Sequence, residues 1–314
     1  MINRALIRLK VVQMVYAYLQ NEGQEERPQR KKVLKELDLS IADAHNLYMS
    51  LLRLLTDLHA YAVNYNEALA THAARLHKEM DENAPTVYFA NNKLLLQLVE
   101  NEELLKFAAH HEPIYDRNSL ELQKLAELCI QSEIFKEYID AGDYSYEADH
   151  NLVRKLYKTY ICENDDIDEQ LENLSIYWNA EKDIVDSFVL KTLNRFDENT
   201  TSEQPLLELY GTDEDPEFAR RLFEATIDHT DELNTLIEGH LKNWDFSRLA
   251  FMDLVVMRLA LAEILYIEEV PLTVSLNEYL NIAKAYSTPN SAKYINGVLD
   301  AIVKNLKKEG KLLK

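Results

Sequence analysis

The side chains best suited to metal chemistry in this chain are its nine histidines and two cysteines. His72 and His77 are five residues apart, and the sequence contains no His-Glu-x-x-His motif. A di-iron helical bundle needs Glu-x-x-His on two helices, whereas that spacing occurs once, at Glu147 and His150. The sequence therefore predicts solvated histidines, no metal site and no cofactor.

The chain also lacks the motifs of nucleophilic and nucleotide-dependent enzymes. No Gly-x-Ser-x-Gly elbow and no glycine-rich phosphate loop occurs, and the whole chain has 6 glycines. Cys129 and Cys162 lie far apart in segments with helical apolar periodicity, a setting typical of reduced, buried thiols. The sequence predicts that the protein is not an enzyme.

Acidic residues form two runs, at residues 163–169 and 213–215, whose spacing matches no calcium-binding loop. Solvated helix ends explain these runs better than cation sites do. The net charge of -20 disfavours nucleic acid, because phosphate neutralisation supplies most nonspecific affinity. Residues 1–40, however, carry 8 Lys/Arg against 5 Asp/Glu, and residues 241–314 carry 10 against 8. The acidity therefore lies in the middle of the chain, and both ends are mildly basic.

Helices are the elements that must position any functional side chain. The 7 prolines and 6 glycines are few beside the many leucine, alanine, glutamate and lysine residues, a composition typical of all-α proteins. Apolar residues keep helical spacing from about Asn3 to Leu19 and from Ile41 to His77, where we predict a long helical hairpin. Further helices are predicted over residues 92–109, 119–139, 148–162, 180–196 and 217–241.

The sequence gives no sign of membrane insertion or secretion. No apolar run approaches the roughly 18 to 20 residues that a membrane helix requires. The first residues also lack a hydrophobic stretch followed by a small-residue cleavage site. We therefore expect a cytoplasmic protein with no membrane contact.

The last quarter of the chain contains three helical patterns in succession. MDLVVMRLALAEIL, from Met252 to Leu265, has few polar positions and is typical of a mostly buried helix. PLTVSLNEYLNIAK, from Pro271 to Lys284, follows a proline that restricts the preceding residue and so ends the earlier helix. YINGVLDAIV, from Tyr294 to Val303, again has apolar residues three and four apart.

The last two of these segments resemble the signature of the NusB family of transcription antitermination factors. The resemblance rests on Pro271, Val274, Asn277-Glu278 and Ala283-Lys284, followed by Ser291 and the segment KYINGVLD. The amino terminus is similar to the family's arginine-rich first helix. The matching residues there are Arg4, Arg8 and VQMVY from Val12 to Tyr16.

The resemblance implies an all-α NusB-like helical bundle with a large additional all-helical lobe. Residues 1–22 would supply the first helix and residues 216–314 the carboxy-terminal bundle. Residues 23–215 would form an acidic helical insertion, with a polar linker at about 197–215, where typical members need only a short helix. The segment from Leu152 to Tyr157 faintly echoes Val11 to Tyr16, which leaves an internal copy of the first helix as an alternative.

The resemblance also implies an RNA-binding antitermination factor. Family members pair with NusE, a small-subunit ribosomal protein, and the pair binds boxA-type single-stranded RNA in nascent ribosomal RNA transcripts. With NusA and NusG, the pair helps RNA polymerase to pass terminators. The alternative is a non-catalytic helical protein-interaction scaffold that has lost RNA binding, which the depleted arginines of the first helix and the acidic insertion favour.

Six residues match functional positions of the family. Arg4, Arg8, Lys293 and Tyr294 match RNA-binding positions, and this agrees with physics, because cations neutralise phosphates and an aromatic ring stacks on an unpaired base. The positions that match the NusE-facing surface are Tyr16 and Asp253.

Overall fold

The computed structural model describes residues 4–21, 29–79, 81–178, 181–241 and 246–312. Helices account for 74% of the chain, and the described ranges contain no β-strand. The all-α prediction is therefore confirmed. Within the same ranges, no helix is both long and apolar enough to cross a membrane.

The chain divides into two compact units. We call residues Ala42–Leu209 the middle unit, and residues Ile2–Ile41 with Tyr210–Lys314 the terminal unit. The terminal unit thus includes residues up to 41 and resumes at 210, whereas the sequence-based domains end at 22 and resume at 216. Those domain boundaries stay a prediction.

The terminal unit is built around a helix with almost no polar surface. Every residue from Asp253 to Ile264 is buried, including Arg258 and Glu263. A helix that is apolar on all sides needs neighbours on all sides, and five other helices of this unit pack on it. The helices of the terminal unit are α1 (Arg4–Gln20), α11 (Asp215–Asp228), α12 (Thr230–Glu238), α13 (Phe251–Tyr266), α14 (Leu272–Tyr286) and α15 (Ser291–Lys308).

The middle unit is a set of short helices. Most of them begin at a side chain that accepts a hydrogen bond from a backbone N–H of the first turn, as Asn92, Asn101, Ser119, Ser132 and Ser145 do. The helices of this unit are α3 (Pro85–Ala90), α4 (Lys93–Glu100), α5 (Glu102–Ala108), α6 (Leu120–Ile130), α7 (Glu133–Ala141), α8 (Tyr146–Tyr157), a π-helical turn (Lys158–Cys162), α9 (Asp165–Leu174) and α10 (Lys182–Leu193).

The predicted hairpin between residues 41 and 77 is instead one continuous helix, α2, which runs from Arg30 to Arg75. Its first part belongs to the terminal unit and the remainder to the middle unit. The physical reason is visible in the sequence, because no glycine or proline occurs between Pro28 and Pro85. Without such a residue nothing reverses the chain.

A half-buried histidine, His45, and a buried one, His59, make the middle unit sensitive to acid. His45 Nε2 lies 2.8 Å from the Leu207 carbonyl oxygen, and His59 Nε2 lies 2.8 Å from that of Ala90. Burial lowers the pKa of both histidines below 6.5, although each carbonyl contact opposes the shift. At pH values just below 6.5, these two histidines begin to bind protons in an unfolded chain. In the folded state both side chains are still neutral at those pH values.

We expect the free energy of unfolding of the middle unit to be fully present above pH 6.5 and to fall as the pH drops below that value. Urea unfolding, followed by circular dichroism between about pH 5 and about pH 8, measures the dependence. His45→Gln with His59→Gln should flatten it, and the exposed control His72→Gln should not. An unchanged pH profile in the double variant would assign the acid sensitivity to other groups.

Candidate nucleic-acid interface

The guanidinium of Arg8 lies in the core of the terminal unit. Its Nε donates to Glu263 Oε2 at 2.7 Å and its Nη2 donates to Glu263 Oε1 at 2.9 Å. Arg8 is 3% exposed and Glu263 is 0% exposed. Burial opposes the charge of Arg8, but the hydrogen bonds to Glu263 outweigh it and raise the pKa of Arg8. An ion pair of this kind holds α1 against α13 and leaves Arg8 inaccessible to phosphate.

The Glu263 carboxylate accepts two further hydrogen bonds besides those from Arg8. Ser275 Oγ donates to Glu263 Oε1 at 2.7 Å, and the Tyr279 hydroxyl donates to Glu263 Oε2 at 3.0 Å. Both donors lie on α14. The carboxylate therefore joins three helices through four hydrogen bonds, which is what a buried charge requires.

Arg4 lies nearer the surface, and it is also paired. Its Nε donates to Asp215 Oδ1 at 2.9 Å, and its side chain is 27% exposed. Asp215 Oδ2 accepts the backbone N–H groups of Gly211 and Thr212 at 2.9 and 3.0 Å. Burial would raise the pKa of Asp215, but the hydrogen bonds from Arg4, Thr212 and Gly211 lower it. A phosphate would have to compete with this carboxylate for Arg4.

Lys293 and Tyr294 lie in the first turn of α15, and Tyr294 is at the rim of a small cavity. Lys293 is exposed and Tyr294 is half-buried. The cavity has a volume of about 220 Å³, and Tyr294 lines it together with Arg248 and Asn290. An aromatic ring beside exposed cations is the arrangement that holds an unpaired base next to its phosphates. The sequence did not single out Arg248 and Asn290, because only the folded chain brings them to Tyr294.

Asp253 is a structural residue at the floor of this cavity. It is 6% exposed, and its two oxygens accept hydrogen bonds from the hydroxyl groups of Ser287 and Ser291. Reversing its charge would remove the acceptor of one half-buried hydroxyl, Ser287, and one buried hydroxyl, Ser291. The variant Asp253→Arg would therefore disturb the start of α15 as well as any partner surface. Tyr16 is half-buried and lies edge-on to Phe251, with 5.0 Å between ring centroids.

The structure separates the predicted site residues into two groups. Tyr16 contacts the first residue of α13, while Arg8 contacts Glu263 near its end, so the two helices are antiparallel. Asp253 and Glu263 are ten residues apart, which is roughly 15 Å along an α-helix. Tyr16, Asp253, Lys293 and Tyr294 therefore lie toward one end of α13, and Arg4 and Arg8 lie toward the other.

Comparison with known proteins places this site in a family. Residues 187–304 match the sequence model described as the NusB family. The chain is 45% identical over 105 residues to the transcription antitermination protein NusB of Salinibacter ruber, and 41% identical over 98 residues to that of Chloroherpeton thalassium. Residues 187–304 therefore form a NusB-family domain.

The similarity to NusB proteins is confined to part of each chain. The two alignments take in 32% and 31% of this chain, and they span 66% and 46% of the relatives' own lengths. A solved structure of T. maritima NusB is 30% identical and covers 40% of this chain and 80% of its own, with a TM-score of 0.30. The fold described above does not rest on that superposition.

The NusB match begins earlier than the sequence-based boundary at 216. It starts at residue 187, in α10, so its first residues belong to the middle unit and the rest to the terminal unit. Lys293 and Tyr294 lie inside the match, whereas Arg4, Arg8 and Tyr16 lie outside it. The roles assigned to the first helix therefore rest on its sequence pattern alone.

Proposed function

We propose that this protein is an RNA-binding transcription antitermination factor that acts in the cytoplasm. The observation that carries the proposal is the NusB match over residues 187–304, which contains the Tyr294 cavity. Both curated relatives are named as transcription antitermination proteins. The proposed role is non-enzymatic.

The proposed RNA contacts centre on the start of α15. Tyr294 stacks on an unpaired base, and Lys293 and Arg248 neutralise neighbouring phosphates. Burial, and after it the charge of Asp253, raises the pKa of Tyr294, so its hydroxyl is uncharged at neutral pH and does not repel phosphate. Arg4 contributes only if a phosphate replaces Asp215, and Arg8 remains a structural residue.

The proposed partners are NusE and boxA-type single-stranded RNA of nascent ribosomal RNA. The complex would act on RNA polymerase together with NusA and NusG. Two or three cations neutralise few phosphates, so the isolated chain should bind RNA weakly. NusE would bind on the side of Tyr16 and supply the additional contacts.

We expect boxA-type RNA to bind at least about tenfold more tightly to the NusE complex than to the isolated chain, a gain equivalent to about 1.4 kcal/mol. Fluorescence anisotropy with labelled RNA, at one fixed salt concentration, measures both affinities. A scrambled RNA of equal length and composition is the control. Tight, sequence-selective binding by the isolated chain would contradict the proposed dependence on NusE.

The second candidate is a protein-interaction scaffold that has lost RNA binding. The pairing of Arg4 with Asp215 and of Arg8 with Glu263 favours it, because the first helix then offers little free positive charge. This candidate predicts that NusE binds while RNA affinity stays at the level of the isolated chain. The same titration therefore separates the two functions.

A further inference from the structure

A surface groove in the middle unit combines an apolar floor with acidic walls. It lies between α6 and α9 and has a volume of about 410 Å³. The residues that line it from α6 are Glu121, Lys124, Leu125 and Leu128, which are three and four apart and therefore share one face. Asp166, Ile167, Glu169 and Gln170 line it from α9.

Buried side chains and hydrogen bonds fix the floor of the groove. Leu125 and Ile167 are 6% and 1% exposed. The Tyr115 hydroxyl donates to the Asp166 carbonyl oxygen at 3.2 Å, and Gln170 Nε2 donates to the Ile114 carbonyl oxygen at 2.9 Å. These bonds tie the start of α9 to the segment that precedes α6, so the two walls keep their spacing.

The walls select for positive charge. Glu121, Asp166 and Glu169 are all exposed, against one cation, Lys124. Such a wall repels the phosphates of a nucleic acid. It also fails as a metal site, because the described residues contain no group of three side chains able to hold a metal ion. The remaining cationic ligands are lysine and arginine side chains.

An exposed leucine at the rim distinguishes this groove from the acidic groove between α7 and α8. Leu128 is 48% exposed and stands beside the carboxylates. The α7–α8 groove carries Glu137 and Glu147, but of its large aliphatic residues Leu152 is 3% exposed and Ile134 is half-buried. Apolar surface next to unpaired charge fits a ligand that carries both properties, as an amphipathic basic helix does.

We propose that the α6–α9 groove is the docking site for a basic amphipathic helix of a partner protein. Lysine or arginine head groups of that helix pair with Glu121, Asp166 and Glu169, and its apolar residues cover Leu128. The argument rests on charge complementarity beside the exposed side chain of Leu128. The groove belongs to the middle unit, so this interaction and RNA binding succeed or fail independently.

The test uses the full chain and a fluorescein-labelled amphipathic peptide made of leucine and lysine. Glu121→Gln with Glu169→Gln should weaken peptide binding roughly five- to tenfold, because two ion pairs are lost. Leu128→Ser should weaken it roughly threefold or more through lost apolar contact. All three side chains are exposed, so the variants should keep the circular dichroism spectrum of the unaltered chain.

The matched control is Glu137→Gln with Glu147→Gln in the α7–α8 groove. This pair removes the same number of exposed glutamates from two facing helices, and it should change peptide affinity by less than about twofold. Equal losses in the two double variants would show attraction to overall charge and would overturn the proposal. Absence of measurable binding to the unaltered chain, or full affinity in Leu128→Ser, would also overturn it.

Discussion

Replacing Glu263 with alanine should lower the free energy of unfolding of the terminal unit by about 3–5 kcal/mol, because it leaves the buried Arg8 charge unpaired. Ser275 and Tyr279 lose their acceptor in the same variant. Arg8→Ala should have a similar cost, since Glu263 would then be the unpaired charge. These losses are large for an ordinary domain, whose total stability is about 5–15 kcal/mol.

The measurement must report on the terminal unit alone, because a chain with two units does not unfold in one step. Hydrogen exchange of the α1 and α13 backbone amides meets this requirement. Glu269→Ala is the matched control, since Glu269 pairs with Arg221 at 2.9 Å on the surface and should contribute less than about 1 kcal/mol. If Glu263→Ala exchanges no faster than Glu269→Ala, the buried pair does not hold α1 in place.

Replacing Tyr294 with alanine should weaken binding of boxA-type RNA to the NusE complex by about 1–3 kcal/mol, or about 5- to 150-fold. The physical reason is the loss of one stacked base, which involves no phosphate. The dependence of affinity on salt should therefore stay the same. Tyr294→Phe keeps the ring and should retain most of the affinity, so the pair of variants isolates stacking from the hydroxyl.

Lysine and arginine variants should change the salt dependence of RNA binding, which the Tyr294 variant should leave unchanged. Lys293→Ala and Arg248→Ala should each flatten the salt dependence by about 0.7 in the logarithmic slope, the value for one phosphate on a single strand. Lys307→Ala, on an exposed later turn of the same helix, is the control and should leave the slope unchanged. Unaltered affinity and slope in the Tyr294, Lys293 and Arg248 variants would favour the scaffold function.

The sequence predicted best those helices in which a single hydrophobic pattern continues from the first residue to the last. The segment from Met252 to Leu265 has few polar positions and corresponds closely to α13, which runs from Phe251 to Tyr266. The helix predicted from 119 to 139 is instead two helices, because Ser132 accepts a hydrogen bond from the Phe135 N–H and starts α7. Apolar periodicity continues across such a break, so periodicity alone does not reveal it.

The functional residues were harder to predict than the helices. Arg4 and Arg8 are four residues apart on one helix, and nothing in that spacing separates a surface arginine from a buried one. The role of Arg8 depends on its ion pair with Glu263, a carboxylate 255 residues away in the chain. Asp253 is similar, since Ser287 and Ser291 of the following segments fix its side chain. Only long-range contacts carry this information.

The separation between Arg8 and Glu263 also constrains the order in which the protein can be built. Glu263 is synthesised 255 residues after Arg8, a delay of roughly 13 to 50 s at typical elongation rates. During that interval α1 has its buried apolar face exposed, while the middle unit, whose residues all lie between 42 and 209, can already fold. The terminal unit can thus be completed only after the middle unit has been synthesised, so chains that stop before Glu263 would not form the pair that holds α1 against α13.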